Sequence, residues 1–305
     1  MTAFVLRRLA RAVVALWGVV TIVFVLMRLS GDPVPLLLPP DAPRSEIFRV
    51  RAELGLDQPL PIQYVVFLAN VAHGDLGRSI HMRVPAMQLV VERLDATVQL
   101  AVAAFVVAVA VALPAGLISA LKRDSLWDHT LMGLALLGQA APTFYIGIML
   151  ILVLGLQLGL LPISGRGGWQ NLLMPSLTLG AFAMASIARL TRSAVLDVAG
   201  ADFIRTARAK GLREASILTR HNLKNAAIPI VTIMGLQFGT LLGGAVVTET
   251  VFSWPGIGRL AIQSIYNRDY PVVQAAVVLM ACSIILVNFV VDLAYGWLDP
   301  RIRYQ

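Results

Sequence analysis

Six long apolar runs leave this chain little choice of fold beyond a bundle of membrane-crossing helices. They cover about Leu9–Leu29, Thr97–Leu121, Leu131–Leu158, Leu172–Leu190, Ile228–Thr248 and Val272–Tyr295. Each is close to or above the roughly 20 residues needed to cross a bilayer. A backbone inside hydrocarbon must satisfy its own hydrogen bonds, and a helix does so within one segment. Composition agrees: 58% of residues are hydrophobic and 14% charged, with a mean hydropathy of +0.78, whereas a soluble domain is about one quarter charged. The expected fold is an all-α integral membrane protein with six transmembrane helices. It divides into a first helix and external loop (1–92), a five-helix core (93–295) and a short tail (296–305).

The start, Arg7-Arg8-Leu9-Ala10-Arg11 before Ala12–Met27, has the charge of a signal peptide. The apolar stretch is long for one, and no small-residue cleavage pattern follows, so it reads as a retained first span. Residues 30–94 are of another kind. Pro33, Pro35, Pro39, Pro40 and Pro43 break regular structure. After them Ile47, Val50, Leu54 and Leu56 mix with Arg51, Glu53 and Asp57, the pattern of short amphipathic helices outside the bilayer. Inside the third run, Pro142 predicts a kink or a split.

Basic residues mark the inner side of membrane proteins. With the N-terminus inside, the inner segments hold Arg7, Arg8 and Arg11, then Lys122 and Arg123, then the long series Arg189, Arg192, Arg205, Arg208, Lys210, Arg213, Arg220 and Lys224, and finally Arg301 and Arg303. The short outer loops hold only Arg166, Arg259 and Arg268. Both termini are therefore expected in the cytoplasm. The net charge of +8 is spread between apolar runs, not gathered with aromatics into a nucleic-acid surface. The single cysteine, Cys282, lies in an apolar run and reads as packing.

Enzyme signatures are absent from the sequence. His73, His81, His129 and His221 are scattered, and none belongs to a His-Glu-x-x-His metal motif. No Gly-x-Ser-x-Gly turn is present. The lysines, Lys122, Lys210 and Lys224, end no phosphate loop. No catalytic or metal-binding residue is expected, and no cofactor on this chain. Glu249 and Asp292 sit near span ends, where a carboxylate is solvated or paired with an arginine, or else serves function.

The segment Asp202–Pro229 is the most informative. Ala-rich and basic up to Lys210, it then meets Gly211, which permits a sharp change of direction. A helical pattern resumes over Glu214–Leu223, with Ile217, Leu218 and His221 on it. Such a helix-turn-helix has an apolar stripe to bury, against lipid, under the spans or in a partner's groove. As plain composition it is a topology signal.

Around Gly211 the sequence resembles the cytoplasmic coupling loop of ATP-binding-cassette importer permeases. That loop reads Glu-Ala-Ala-x-x-x-Gly, nine residues, then Ile-x-Leu-Pro. Here Arg205-Thr206-Ala207 stands in the first position and His221-Asn222-Leu223-Lys224 in the last. The glutamate and the proline are missing, as is usual in the peptide and nickel branch. Further likenesses to that branch run along the chain: Gly31-Asp32-Pro33, Leu54–Leu60, Gly74-Asp75-Leu76-Gly77, Phe252–Arg259, Arg268-Asp269-Tyr270-Pro271 and Leu298–Arg303.

The resemblance implies the type I ABC importer permease fold in a bacterial plasma (inner) membrane, crossing it several times. It implies a second homologous permease, two cytoplasmic ATPase subunits that carry ATP and Mg, an external substrate-binding protein, and no nucleic acid. Peptide cargo is the first expectation, with nickel, a metal chelate or glutathione as alternatives. A channel or self-powered transporter is the rival of another class. A coupling segment at 193–226 would dock the ATPase through Ala207, Gly211 and Leu223, with Arg205 and Arg208 at the rim and Thr206 and His221 beside them. Polar residues at helical spacing are candidates for the path or for helix packing: Gln139 and Thr143; Ser176, Thr178 and Ser186; Thr232, Gln237 and Thr240. Of these Gln237 and Thr240 are favoured for the path. Gly74, Asp75, Trp254 and Pro255 either receive the binding protein or serve the fold.

Overall fold

The computed structural model describes residues 2–29, 31, 34–39, 42–53, 55–213 and 216–298, and every regular element among them is helical. Asp32, Pro33, Leu54, Glu214, the terminal 299–303 motif and the side chain of Asp292 lie outside the described residues. In chain order the helices are α1 (Thr2–Leu29), α2 (Val34–Leu37), α3 (Arg44–Glu53), α4 (Leu60–Ala72), α5 (Ala86–Leu121), α6 (Leu126–Ala140), α7 (Thr143–Leu150), α8 (Trp169–Ala199), α9 (Asp202–Ala209), α10 (Leu223–Val251), α11 (Ile257–Tyr266) and α12 (Tyr270–Leu298). π-helical turns over Ile151–Gln157 and Ile217–Asn222 follow α7 and precede α10.

Among the described residues, five stretches are long and apolar enough to cross a membrane: Val5–Leu29, Ala86–Leu121, Trp169–Ala199, Arg220–Val251 and Tyr270–Val291. A sixth crossing exists if the bent pair Leu126–Ala140 and Thr143–Gln157 is one span. That pair turns by 110° at its break. The cause is local. A proline ring drives the preceding residue out of the helical region, and Ala141 is extended at φ −77°, ψ 134°. Pro142 (φ −59°, ψ 137°) then caps the start of α7. Of the two outcomes expected at Pro142, the chain takes the split.

The chain forms two compact units, one of Thr97–Trp254 with the chain from Leu286 onward, the other of Thr2–Ala96 with Pro255–Ile285. In the first, α8 is the most buried long helix and packs against α10, α6 and α7. α5 presents Ala101, Ala104, Ala108 and Ala112, all buried, as one stripe at helical spacing. Small residues let helix backbones approach closely. Gly116 is where this is strictest, since a Cβ there would collide with the carbonyl oxygen of Ala188 on α8.

In the second unit α1 packs on α4. The Phe24 ring meets Tyr64 edge-on at 5.2 Å and lies 5.5 Å from Phe67. The Thr21 and Tyr64 hydroxyls share a hydrogen bond of 2.6 Å. Val20, Leu76, Val90, Ile257, Val272 and Ala275 form the core beneath. Buried Asp269 ties the turn before α5 to the start of α12, accepting from Ser79 Oγ (2.5 Å) and the Ile80 N–H (3.1 Å).

Several helices stop by one device, a left-handed residue whose N–H and the next one's reach back to the last turn. α4 ends so at Gly74, with Gly74 N–H donating to Val71 O and Asp75 N–H to Asn70 O. α10 ends so at Ser253 (φ 52°) and α11 at Arg268 (φ 55°), two residues that adopt this conformation at a cost. The Gly-Asp-Leu-Gly, Ser-Trp-Pro and Arg-Asp-Tyr-Pro motifs are thus helix stops.

Candidate functional site

Most of the basic stretch 189–224 is helix. α8 runs on to Ala199 and carries Arg189 and Arg192 on its own surface. After Gly200 the eight-residue α9 is strongly two-faced. Its inner face buries Ile204 (0% exposed) and Ala207 against Ile217 and Val198. Its outer face leaves Phe203, Arg205, Thr206 and Arg208 exposed. Arg205 faces Asp202 at 3.5 Å, an exposed pair of small energetic worth. Thr206 Oγ1 donates to Asp202 O at 3.0 Å.

Gly211 closes α9. At φ +74° its N–H donates to Arg208 O (2.9 Å), and the Leu212 N–H reaches Ala207 O (3.3 Å). A side chain in that conformation is strained, which gives the glycine a physical reason. The expected second short helix is not separate. The π-helical turn Ile217–Asn222 runs directly into α10, so the segment is one short helix, a turn, and the first turns of a span-length helix. Buried Asn222 fastens that junction by donating from Nδ2 to Val195 O at 3.1 Å.

The sequence candidates therefore part company. Ala207 is buried under α9, and Leu223 packs on the cluster of Ala120, Ala194, Val195, Ala226 and Ile230. They shape the segment from within. Arg205, Thr206 and Arg208, with Phe203 and Leu212, are what it presents outward. His221 is half-buried, its carbonyl accepting from Asn225 Nδ2 at 2.6 Å.

A buried ionic clamp stands next to this segment and escaped the sequence reading. Asp128, in the first turn of α6, is 3% exposed. Arg192 on α8 donates to it twice, Nε to Oδ1 at 2.8 Å and Nη2 to Oδ2 at 2.7 Å. Ser119 Oγ at the end of α5 and the Asp124 N–H also donate to the carboxylate. One carboxylate thus joins α5, α6 and α8, with the bidentate fork that a planar guanidinium favours. The available signal was Ser125-Leu126-Trp127-Asp128, a helix-start pattern in which Ser125 Oγ accepts from the Asp128 N–H.

The polar candidates for the path are dispersed. Gln139 ends α6 and Thr143 begins α7, so the break at Pro142 removes the helical spacing that joined them. Ser176 and Thr178 are buried in α8 with hydroxyls that have no partner among the described residues. Gln237 is buried on α10, and exposed Thr240 donates to its Oε1 at 3.2 Å and to its carbonyl oxygen at 2.8 Å. Gln237 and Thr240 are the one pair the structure links.

Two expectations at the other motifs need correction. Trp254 is 0% exposed, with Arg166 6.0 Å above its ring, so the indole offers a partner no surface. Pro255 beside it is half-buried, whereas Gly74 and Asp75 are exposed. Glu249 is not solvated either. It is 0% exposed, and Thr97 Oγ1 donates to its Oε1 at 2.7 Å. The terminal turn of the helix buried its carboxylate where a reading by depth alone put it in the headgroups.

Comparison with known proteins accounts for the whole chain. Residues 112–304 match the family described as binding-protein-dependent transport system inner membrane component. Residues 1–110 match the N-terminal part of such membrane components. The dipeptide transport system permease protein DppB of Escherichia coli (strain K12) is 41% identical over 338 aligned residues, covering 100% of both chains. The glutathione transport system permease protein GsiC of Escherichia coli O6:H1 is 44% identical over 306, again covering 100% of both. Among solved structures, an inward-facing conformation of the MetNI methionine ABC transporter superposes with a TM-score of 0.60 at 20% identity, covering 70% of this chain and 97% of that one.

Proposed function

This chain belongs to the family of binding-protein-dependent transport system inner membrane components, and from that premise we propose that it is the permease subunit through which an ABC importer moves dipeptides or similar peptide-like solutes into the cell. The observation that carries this is the full-length likeness to two peptide-type permeases, at 41% and 44% identity. Glutathione, itself a tripeptide, is the second reading, and the 44% relative favours it.

The chain provides a path and a point of attachment, and separate ATPase subunits supply the hydrolysis. Its basic segments lie in the cytoplasm with both termini, in a bacterial inner membrane. A second permease completes the path and a binding protein delivers cargo from outside. The exposed face of α9, held by Ile204, Ala207 and the Gly211 cap, is the handle on which an ATPase pulls. Closing and opening of the ATPases then drives alternating access of the paired permeases. Gln237 and Thr240 line the passage, and Gly74 and Asp75 face the binding protein.

The chain purified in detergent is expected to bring ATPase subunits with it. In proteoliposomes, dipeptide uptake is expected to require ATP and the binding protein, and excess glutathione or nickel chelate shows which cargo competes. Uptake by the chain alone would overturn the proposal. Gly211→Arg, which strains the α9 cap, is expected to uncouple ATP hydrolysis from uptake, and normal coupling in that variant would remove α9 from the role. A cysteine at 237 or 240 should react with an aqueous thiol reagent faster than lipid-facing controls.

A further inference from the structure

We propose that the second compact unit holds a binding site for one anionic phospholipid, between the last turn of α1 and α4. The inference rests on α1 lying in a bilayer and is independent of which solute the chain transports. A cavity of about 730 Å³ opens there, a volume in the range of ligand sites and far above that of a trapped water. Part of the lining is hydrocarbon-like: Phe24 and Met27 of α1, Val66 and Phe67 of α4. The lining also carries three guanidiniums, Arg28, Arg78 and Arg83, against one carboxylate, Asp75. Asp75 is already engaged, its Oδ1 accepting from the Gly77 N–H at 3.0 Å.

Two polar atoms in the lining lack what they need. Among the described residues Arg28 Nε is buried with no hydrogen-bond partner, and its guanidinium lies over the Phe24 ring, 5.2 Å away. Gln63 Oε1 is also buried and unpaired, although its Nε2 donates to Leu56 O and Gln58 O. Buried polar atoms are almost always satisfied, those of a charged group most of all. The missing partner of Arg28 is an oxyanion.

Position selects its source. Arg28 lies in the last turn of a span-length helix, the depth at which lipid phosphates sit. The helix below it exposes Ile22, Val25 and Leu26, and α4 exposes Leu60, Ile62 and Val65. An occupant that brings an oxyanion and hydrocarbon together at that depth is a phospholipid, its phosphate on the arginines and a chain along Phe24 and Val66. Free inorganic phosphate would satisfy Arg28 but leave the apolar part of the lining empty.

The test uses the full importer complex in nanodiscs of phosphatidylcholine doped with photoactivatable phosphatidylglycerol or photoactivatable phosphatidylcholine. Peptide mapping is expected to place the phosphatidylglycerol adduct on α1 and α4, with labelling about tenfold above phosphatidylcholine, whose phosphate is matched but whose choline cation the three arginines repel. Arg28→Gln is expected to reduce it to the phosphatidylcholine level. Val66→Trp, which fills the apolar part of the lining and leaves every arginine in place, is expected to do the same. Equal labelling by both lipids, or undiminished labelling in both variants, overturns the site. Loss of labelling on adding millimolar inorganic phosphate overturns the lipid as its source.

Discussion

Arg192 and the pair Arg205 and Arg208 belong to one basic stretch of the sequence and are used in opposite ways. Arg192 is paired by both forks with buried Asp128 and holds three helices together. Arg205 and Arg208 lie on the open face of α9, Arg205 in a loose 3.5 Å contact with Asp202. α9 itself is fastened by apolar contacts, those of Ile204, Ala207 and Ile217. The lesson concerns division of labour. Where charge turns inward it fixes the frame, and where apolar side chains do the fixing, the charged side chains stay on the exposed face.

The contrast breaks first at the clamp. Asp128→Ala leaves the half-buried Arg192 without its partner, and a loss of about 2 kcal/mol is expected in an unfolding titration of the detergent-solubilised chain. A change below 1 kcal/mol would show that the pair is not structural. Gly211→Ala comes next. A Cβ at φ +74° is expected to destabilise α9 by about 1 kcal/mol, read as faster local hydrogen exchange over 202–212 with the rest of the chain unchanged. Relief runs the other way at Ser253 and Arg268. Ser253→Gly and Arg268→Gly are each expected to stabilise by about 0.5–1 kcal/mol, since glycine adopts the left-handed cap freely. Arg205→Gln is the smallest: below about 0.5 kcal/mol in stability, yet a measurable loss of affinity for the ATPase. That split between stability and partner affinity sharpens the comparison most.

The sequence made some of this legible and hid the rest for physical reasons. Helix-length apolar runs and the break at Pro142 follow from short-range rules, and so does the turn at Gly211, because a proline or glycine acts on its own backbone. Long-range pairings leave no such trace. Asp128 and Arg192 are 64 positions apart, and each alone looks like an ordinary charge at a helix end. Nothing local in the sequence separates a Trp254 that receives the binding protein from one that serves the fold, and the turn after α10 folds it inward. Glu249 was placed by its depth along an apolar run, while its burial depends on α5, which depth does not report. The π-helical turn at 217–222 disguised a continuous helix as two, because its looser winding shifts the 3.6-residue pattern that joins Ile217 to Leu223.

That continuity has a mechanical consequence. From Leu223 to Val251 the helix has 29 residues, about 44 Å at 1.5 Å per residue. The π-helical turn that leads into it carries Ile217, against which α9 packs, and its last turn carries buried Glu249, ahead of the Ser253 stop. Pro229, about two turns from the start, removes one intrahelical hydrogen bond and is the place where the helix bends. Beyond it the remaining turns form one arm of about 33 Å, so a tilt of about 10° at the proline would sweep the Val251 end through about 6 Å. Displacement entering there would reach the Glu249 end along a single helix, without a relay of side chains.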